Sequence, residues 1–158
     1  MRSLLILLLA LGLVACDAGE VEPDADAIRV AEVVLARADG QVVYSHDDHW
    51  HGTLRATVGQ PAVYEVWIVP DTAPGLGHDV PPRESWVRPS SEPGLSVRVT
   101  SDDEAVAVWS GSGDTATLTA NVVGTALTTV VVLDGSTTRY QSPPAATITS
   151  AVPPAAAP

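Results

Sequence analysis

The chain has 158 residues and carries eight basic side chains, all of them arginine, against nineteen acids, for a net charge of −11 with the histidines neutral. That balance repels phosphate backbones and anionic lipid head groups, so it argues against nucleic-acid binding and against electrostatic attachment to a membrane, and it mildly favours cations. One cysteine and four histidines set the bounds on redox and metal chemistry.

Arg2 followed by an apolar run from Leu4 to Leu13 reads as the charged and hydrophobic regions of a signal peptide, too short to span a bilayer as a stable helix. Leu13-Val14-Ala15-Cys16 resembles the lipobox of bacterial lipoproteins. The resemblance implies a signal peptide over residues 1–15 and a mature chain that begins at Cys16, where palmitate-type acyl chains hold it to a membrane. A secretory signal with an unmodified cysteine is the alternative. Cleavage there removes Arg2 and takes the net charge to −12. With Cys16 lipidated no disulfide can form, so stability has to come from the core. Asp17 resembles the signal that keeps lipoproteins of enteric bacteria in the inner membrane, but other lineages follow other rules. Inner or outer membrane, periplasmic or surface-exposed, all stay open within a cell-envelope location. Residues 16–27 place Asp17, Glu20, Glu22, Asp24 and Asp26 with no basic residue, the composition of a disordered acidic tether. At the other end, residues 153–158 are a tail of proline and alanine.

Between tether and tail, residues 28–152 suffice for one domain with one core. Their pattern is all-β. Residues 28–37 and 41–45 flank Asp39-Gly40, a pair that favours a tight hairpin turn. Residues 53–58 and 62–69 flank Gly59-Gln60-Pro61 and are expected to pair about that turn, with Trp67 buried. Leu95, Val97 and Val99 alternate with Ser96, Arg98 and Thr100, as a half-buried strand does. Segments 105–109, 115–123 and 126–133 follow at the spacing of a sandwich, with Gly111-Ser112-Gly113 as a turn, and a strand near 146–152 closes an edge.

Three runs in this half resemble bacterial Ig-like domains: Val58-Gly59-Gln60 before a strand, Thr100 through Val108, and Asn121-Val122-Val123-Gly124-Thr125-Ala126. The resemblance implies an Ig-like β-sandwich of about seven to nine strands. It leaves function open, because that scaffold has many uses.

The stretch His46-Asp47-Asp48-His49-Trp50-His51 places three of the four histidines within six residues. Imidazole is the commonest protein ligand for zinc and serves Cu(II) and Ni(II) as well. On an extended backbone His49 and His51 share a face about 7 Å apart, a gap that two Zn–N bonds of about 2 Å can close with side-chain adjustment. His46 faces the same way only if Asp47-Asp48 turns the chain, which aspartates favour by bonding their own backbone. The pattern His-x-x-His-x-His followed by Gly52 resembles the zinc-binding motif of the streptococcal histidine triad surface proteins, and the resemblance implies metal capture. The alternative is a solvated polar loop whose histidines bind nothing.

The linker from Pro70 to Pro93 is longer than such domains carry, and long loops in compact domains are usually functional or disordered. It contains His78-Asp79. If the 53–58 and 62–69 segments pair about Gln60, His51 and Val69 emerge at one end, and His78 or Asp79 becomes a geometrically possible fourth ligand. His78 as an ordinary loop residue is the competing reading. Trp50 and Trp86 are either exposed aromatics for a sugar or peptide, or anchors that pin their loops.

Enzyme readings find little support. There is no His-Glu-x-x-His and no Gly-x-Ser-x-Gly, and with Cys16 lipidated and Met1 removed in the signal peptide there is no free cysteine or mature methionine for a blue-copper or Cu(I) site. The His49-x-His51 pair is similar to a cupin motif, but Arg55 stands where that motif needs a glutamate. The sequence therefore points to a membrane-anchored, extracytoplasmic binding protein for a divalent transition metal, zinc before Cu(II) or Ni(II). His49 and His51 are its first ligands, His46 the third, and water, His78 or Asp79 the fourth. The competing class is a structural or adhesive surface module that binds an envelope protein or polysaccharide.

Overall fold

A computed structural model describes residues 28–151. The signal peptide, the lipidated Cys16, the acidic tether and the proline-rich tail lie outside the described residues. Eleven strands form in order: β1 Val30–Ala36, β2 Val42–His46, β3 His49–His51, β4 Leu54–Thr57, β5 Ala62–Pro70, β6 Leu95–Ser101, β7 Ala107–Ser110, β8 Thr115–Ala120, β9 Gly124–Asp134, β10 Thr137–Gln141 and β11 Ala145–Ser150. Two 3-10 turns, Arg83–Ser85 and Pro89–Ser91, are the helical elements among the described residues. The fold is an all-β sandwich. Its strand count exceeds the seven to nine expected because β3, three residues long, and β10, which has no apolar face, give no periodic signal.

The first sheet runs β3-β2-β1-β5-β8-β7 and the second β10-β9-β11-β4, with β6 on the other edge of β9. Strands β1 and β2 pair antiparallel about the turn at Asp39-Gly40, with Ala36 opposite Val42. Alternation sends Val33, Leu35, Val43, Tyr64, Val66, Ile68 and Leu118 inward against Leu54, Val97, Val130 and Val132 of the second sheet. Each such aliphatic side chain contributes about 1.5–3 kcal/mol by leaving water. Where polar groups enter this layer they are paired: Trp109 Nε1 donates to Thr128 Oγ1 at 2.9 Å, and the Thr128 and Thr147 hydroxyls bond at 2.7 Å.

One expected pairing does not form. Strands β4 and β5 do not pair and belong to different sheets; the one bridge at the turn between them joins Thr57 to Gln60, ahead of β5. At Gly59 (φ 76) the chain crosses from one sheet to the other, so β4 instead runs parallel to β11, with Leu54 opposite Thr147. The cause is burial: Leu54 and Ala56 pack under the first sheet rather than beside β5. Strands β10 and β11 lie in succession along one edge of β9, interrupted at Pro143-Pro144. Proline has no N–H for the ladder, and Ser142 holds the register by donating its N–H to the Val130 carbonyl at 2.9 Å.

The outer face of the first sheet is also covered. Val34, Ala36, Tyr44, Val69 and Trp86 form a second, smaller apolar cluster, with Val42, Trp67 and Ala73 against it. Part of the 71–94 linker covers this face: Ala73 packs against the cluster, and Trp86 is buried in it with its Nε1 donating to the Pro81 carbonyl at 2.9 Å. Trp67, expected inside, is half-buried on this outer face with the Arg88 guanidinium 3.7 Å over its ring.

Candidate metal centre

Strand β3 exists because Asp47-Asp48 reverses the chain in two residues. Asp47 takes φ 47, a left-handed conformation that aspartate tolerates better than most residues, and His46 pairs directly with His49. Directly opposed residues share a face, and so do residues two apart on a strand. Tyr44, His46, His49 and His51 therefore project together from the outer face of the first sheet. Trp50, between the two β3 histidines, points inward and donates Nε1 to the Pro143 carbonyl at 2.6 Å. Gly52 then releases the chain at φ 89, where a Cβ would meet the Val42 carbonyl oxygen at 3.2 Å.

The long linker supplies the fourth ring. His78 comes down on the hairpin, its carbonyl accepting a hydrogen bond from the Tyr44 hydroxyl. Ligand atoms of His49, His51 and His78 all lie within 4.8 Å of one another. The linker reaches this place although the β4/β5 hairpin thought to bring it there does not form. Strand β5 pairs with β1, and β1 with β2, so Pro70 ends beside Val30 on the same sheet. Asp79 stays outside the three-histidine group, close enough to His51 to act on it only through its charge.

His46 is near but otherwise engaged. Its ring centroid is 5.2 Å from that of His78, 5.8 Å from His49 and 6.0 Å from His51, spacings like those among the other three. Its Nδ1 lies 2.9 Å from Glu32 Oε1 and its Nε2 3.3 Å from the exposed Asp47 carboxylate. The residue that sequence reasoning missed is Glu32, which is 2 % exposed and sits beneath the cluster against the Gly77 backbone. An acid inside the apolar run from Val30 to Leu35 was the available signal. Burial pushes its carboxyl up from the ordinary value, against the opposing pull of His46.

The electrostatics suit a cation. His51 stacks on Tyr44 with centroids 4.6 Å apart and planes within 8°. Burial first, then the neighbouring His49, His78 and His46, lowers its pKa, which favours the neutral form that a metal ligand needs. Its Nε2 is shut away from solvent and has no hydrogen-bond partner, and Glu32 Oε2 is in the same condition. His49 Nδ1 lies 3.0 Å from Asp48 Oδ1, which leaves Nε2 free and lowers the Asp48 pKa. A carboxylate on the far nitrogen of a histidine is the arrangement that orients metal-bound imidazoles. Tetrahedral zinc, with Zn–N bonds of about 2.0–2.1 Å, spaces its nitrogens by about 3.4 Å, so ligand atoms within 4.8 Å of one another need to close by at most about 1.4 Å.

No protein-family model and no curated protein matches the chain. Among solved structures, surface layer protein SbsC, domains 4-9, aligns with it at 16% identity and a TM-score of 0.38, covering 85% of this chain and 24% of that one. The chain thus spans about a quarter of that structure's length, and a likeness at this level identifies no family.

Proposed function

We propose that this chain is a lipid-anchored, extracytoplasmic β-sandwich of the bacterial cell envelope that binds a divalent transition metal, with zinc ahead of Cu(II) or Ni(II). The observation that carries the reading is a group of three imidazoles, His49, His51 and His78, with ligand atoms within 4.8 Å of one another, one of which, His51, also has a buried Nε2 with no hydrogen-bond partner. An unpaired buried nitrogen costs stability unless something fills the place, and a cation fills it. His49, His51 and His78 are the core ligands. His46, already oriented by Glu32 through Nδ1, takes the fourth position when its Nε2 leaves Asp47. Glu32 supplies negative charge beneath the site without coordinating. The competing reading, an adhesive or structural module for a protein or polysaccharide, has less support, because Trp50 and Trp86 are spent holding their own segments.

Calorimetric titration with zinc at about pH 7.5, above the ordinary histidine pKa of about 6.5, tests the proposal. The parent binds one equivalent saturably. His49→Ala and His78→Ala each weaken binding by about 10–100-fold, at least the loss typical of supporting residues, and the double variant lacking His49 and His51 loses more. A double variant that binds as tightly as the parent would sink the proposal, as would a parent with no saturable binding.

A further inference from the structure

Residues 71–94 hold no strand, and their attachment to the first sheet is uneven. The later part is firmly fixed: Trp86 is buried, Val87 and Ile68 exchange backbone hydrogen bonds at 2.9 and 3.0 Å, and Arg88 lies over Trp67. The start is fixed too, since Asp71 donates its N–H to the Arg29 carbonyl at 2.9 Å. Residues 74–80 between them are exposed or half-exposed throughout, and Gly75 and Gly77 take positive φ values of 74 and 151. The hydrogen bonding of this span to the sheet is concentrated at one step, Gly77-His78. There the His78 carbonyl meets the Tyr44 hydroxyl and the Gly77 backbone lies against Glu32.

His78 also belongs to the three-histidine group, whose other two members sit on β3. We infer that a metal ion at this site acts as a clasp, joining residues 74–80 to the β2–β3 hairpin, so that occupancy decides whether this span is closed over Glu32 and Tyr44 or open to solvent. The inference rests on the metal-binding reading and adds the loop as its readout. Linkage fixes the size of the effect. Whatever factor His78 adds to metal affinity is the factor by which the metal favours the closed loop, because binding and closure are two legs of one cycle. A single imidazole that contributes tenfold to affinity therefore holds the span closed tenfold better.

Hydrogen exchange read by mass spectrometry on the full-length chain, with and without zinc, tests the clasp. The parent shows exchange of the Gly75 to Val80 amides slowed by about tenfold or more on adding zinc, within the usual range of coupling between sites. Exchange in β6 stays unchanged. His78→Ala, which keeps His49 and His51 and binds zinc more weakly, shows no slowing in the same span at saturating metal. Calorimetry in the same buffer separates the two ways to fail. If the parent binds zinc and the span exchanges as before, or is slowed equally in His78→Ala, the clasp is overturned and the metal site stands. If the parent binds no zinc, both fall.

Discussion

His51 concentrates the chemistry of the site in one ring. Its pKa lies below the ordinary value because burial and three neighbouring histidines disfavour its protonated form. In the metal-free protein the unfolded chain therefore takes up a proton near pH 6.5 that the folded chain refuses, and stability falls as pH drops below about 6.5 until the lowered folded value is reached. Glu32 acts the other way. Its raised carboxyl binds a proton earlier when folded, which adds stability as pH falls through that raised value toward 4.5. His51→Phe preserves the stack on Tyr44 and removes the first effect while leaving the second. Between about pH 7.5 and pH 5.5, either side of the ordinary histidine pKa, the metal-free parent should lose more stability in urea than His51→Phe. Equal losses would mean that His51 is not held neutral. At this scale the sequence was informative about ligands and silent about their surroundings. The i, i+2 spacing placed His49 and His51 on one face, and Asp47-Asp48 announced the turn that faces His46 the same way. That His46 turns to a buried acid, while His78 takes its place as third partner, depends on where a long linker settles, which no local spacing encodes.

Among the elements, the linker matters as much as any strand. It closes an apolar cluster on the outer face of the first sheet, and Trp86 is the side chain that fastens it. Trp86→Ala should destabilise the domain by about 3 kcal/mol, the lower end for a buried aromatic, because the site lies at the surface and can collapse. It should also weaken zinc binding, since His78 loses its support. Urea denaturation and a zinc titration of the same variant check both, and a Trp86→Ala protein of parental stability would show that the linker is held elsewhere. The β1/β2 hairpin was readable because Asp39-Gly40 sits between two apolar runs. The β4/β5 pairing was misread for a related reason: Gly59-Gln60-Pro61 looks like a hairpin turn, but whether two strands pair or part into separate sheets is decided by what lies beneath them. Strand β10 was invisible because Thr137-Thr138-Arg139-Tyr140-Gln141 has no apolar face to give a period.

For the molecule as a whole, the acidic balance and the absence of lysine argue against electrostatic attachment to a membrane, and the proposed acyl anchor is tested on its own. Among the described residues no helix is long and apolar enough to cross one. Fatty-acid labelling should mark the parent at Cys16, and Cys16→Ser should move the protein to the soluble fraction. A parent recovered soluble, with the bond after Ala15 intact, would remove the anchor from the account. The parallel pairing of β4 with β11 bears on the order in which the fold can form. Strand β4 follows directly on the histidine hairpin, yet its ladder partner is the last strand of the domain, with Leu54 opposite Thr147. Everything that forms the histidine cluster, from Glu32 to His78, lies far upstream of that partner in the chain, and β4 joins the second sheet only once β11 is in place. Loop closure over such a sequence separation is slow. The half that carries the histidine cluster therefore forms with the edge of β4 still unpaired, and the sandwich is completed by a contact between distant parts of the domain.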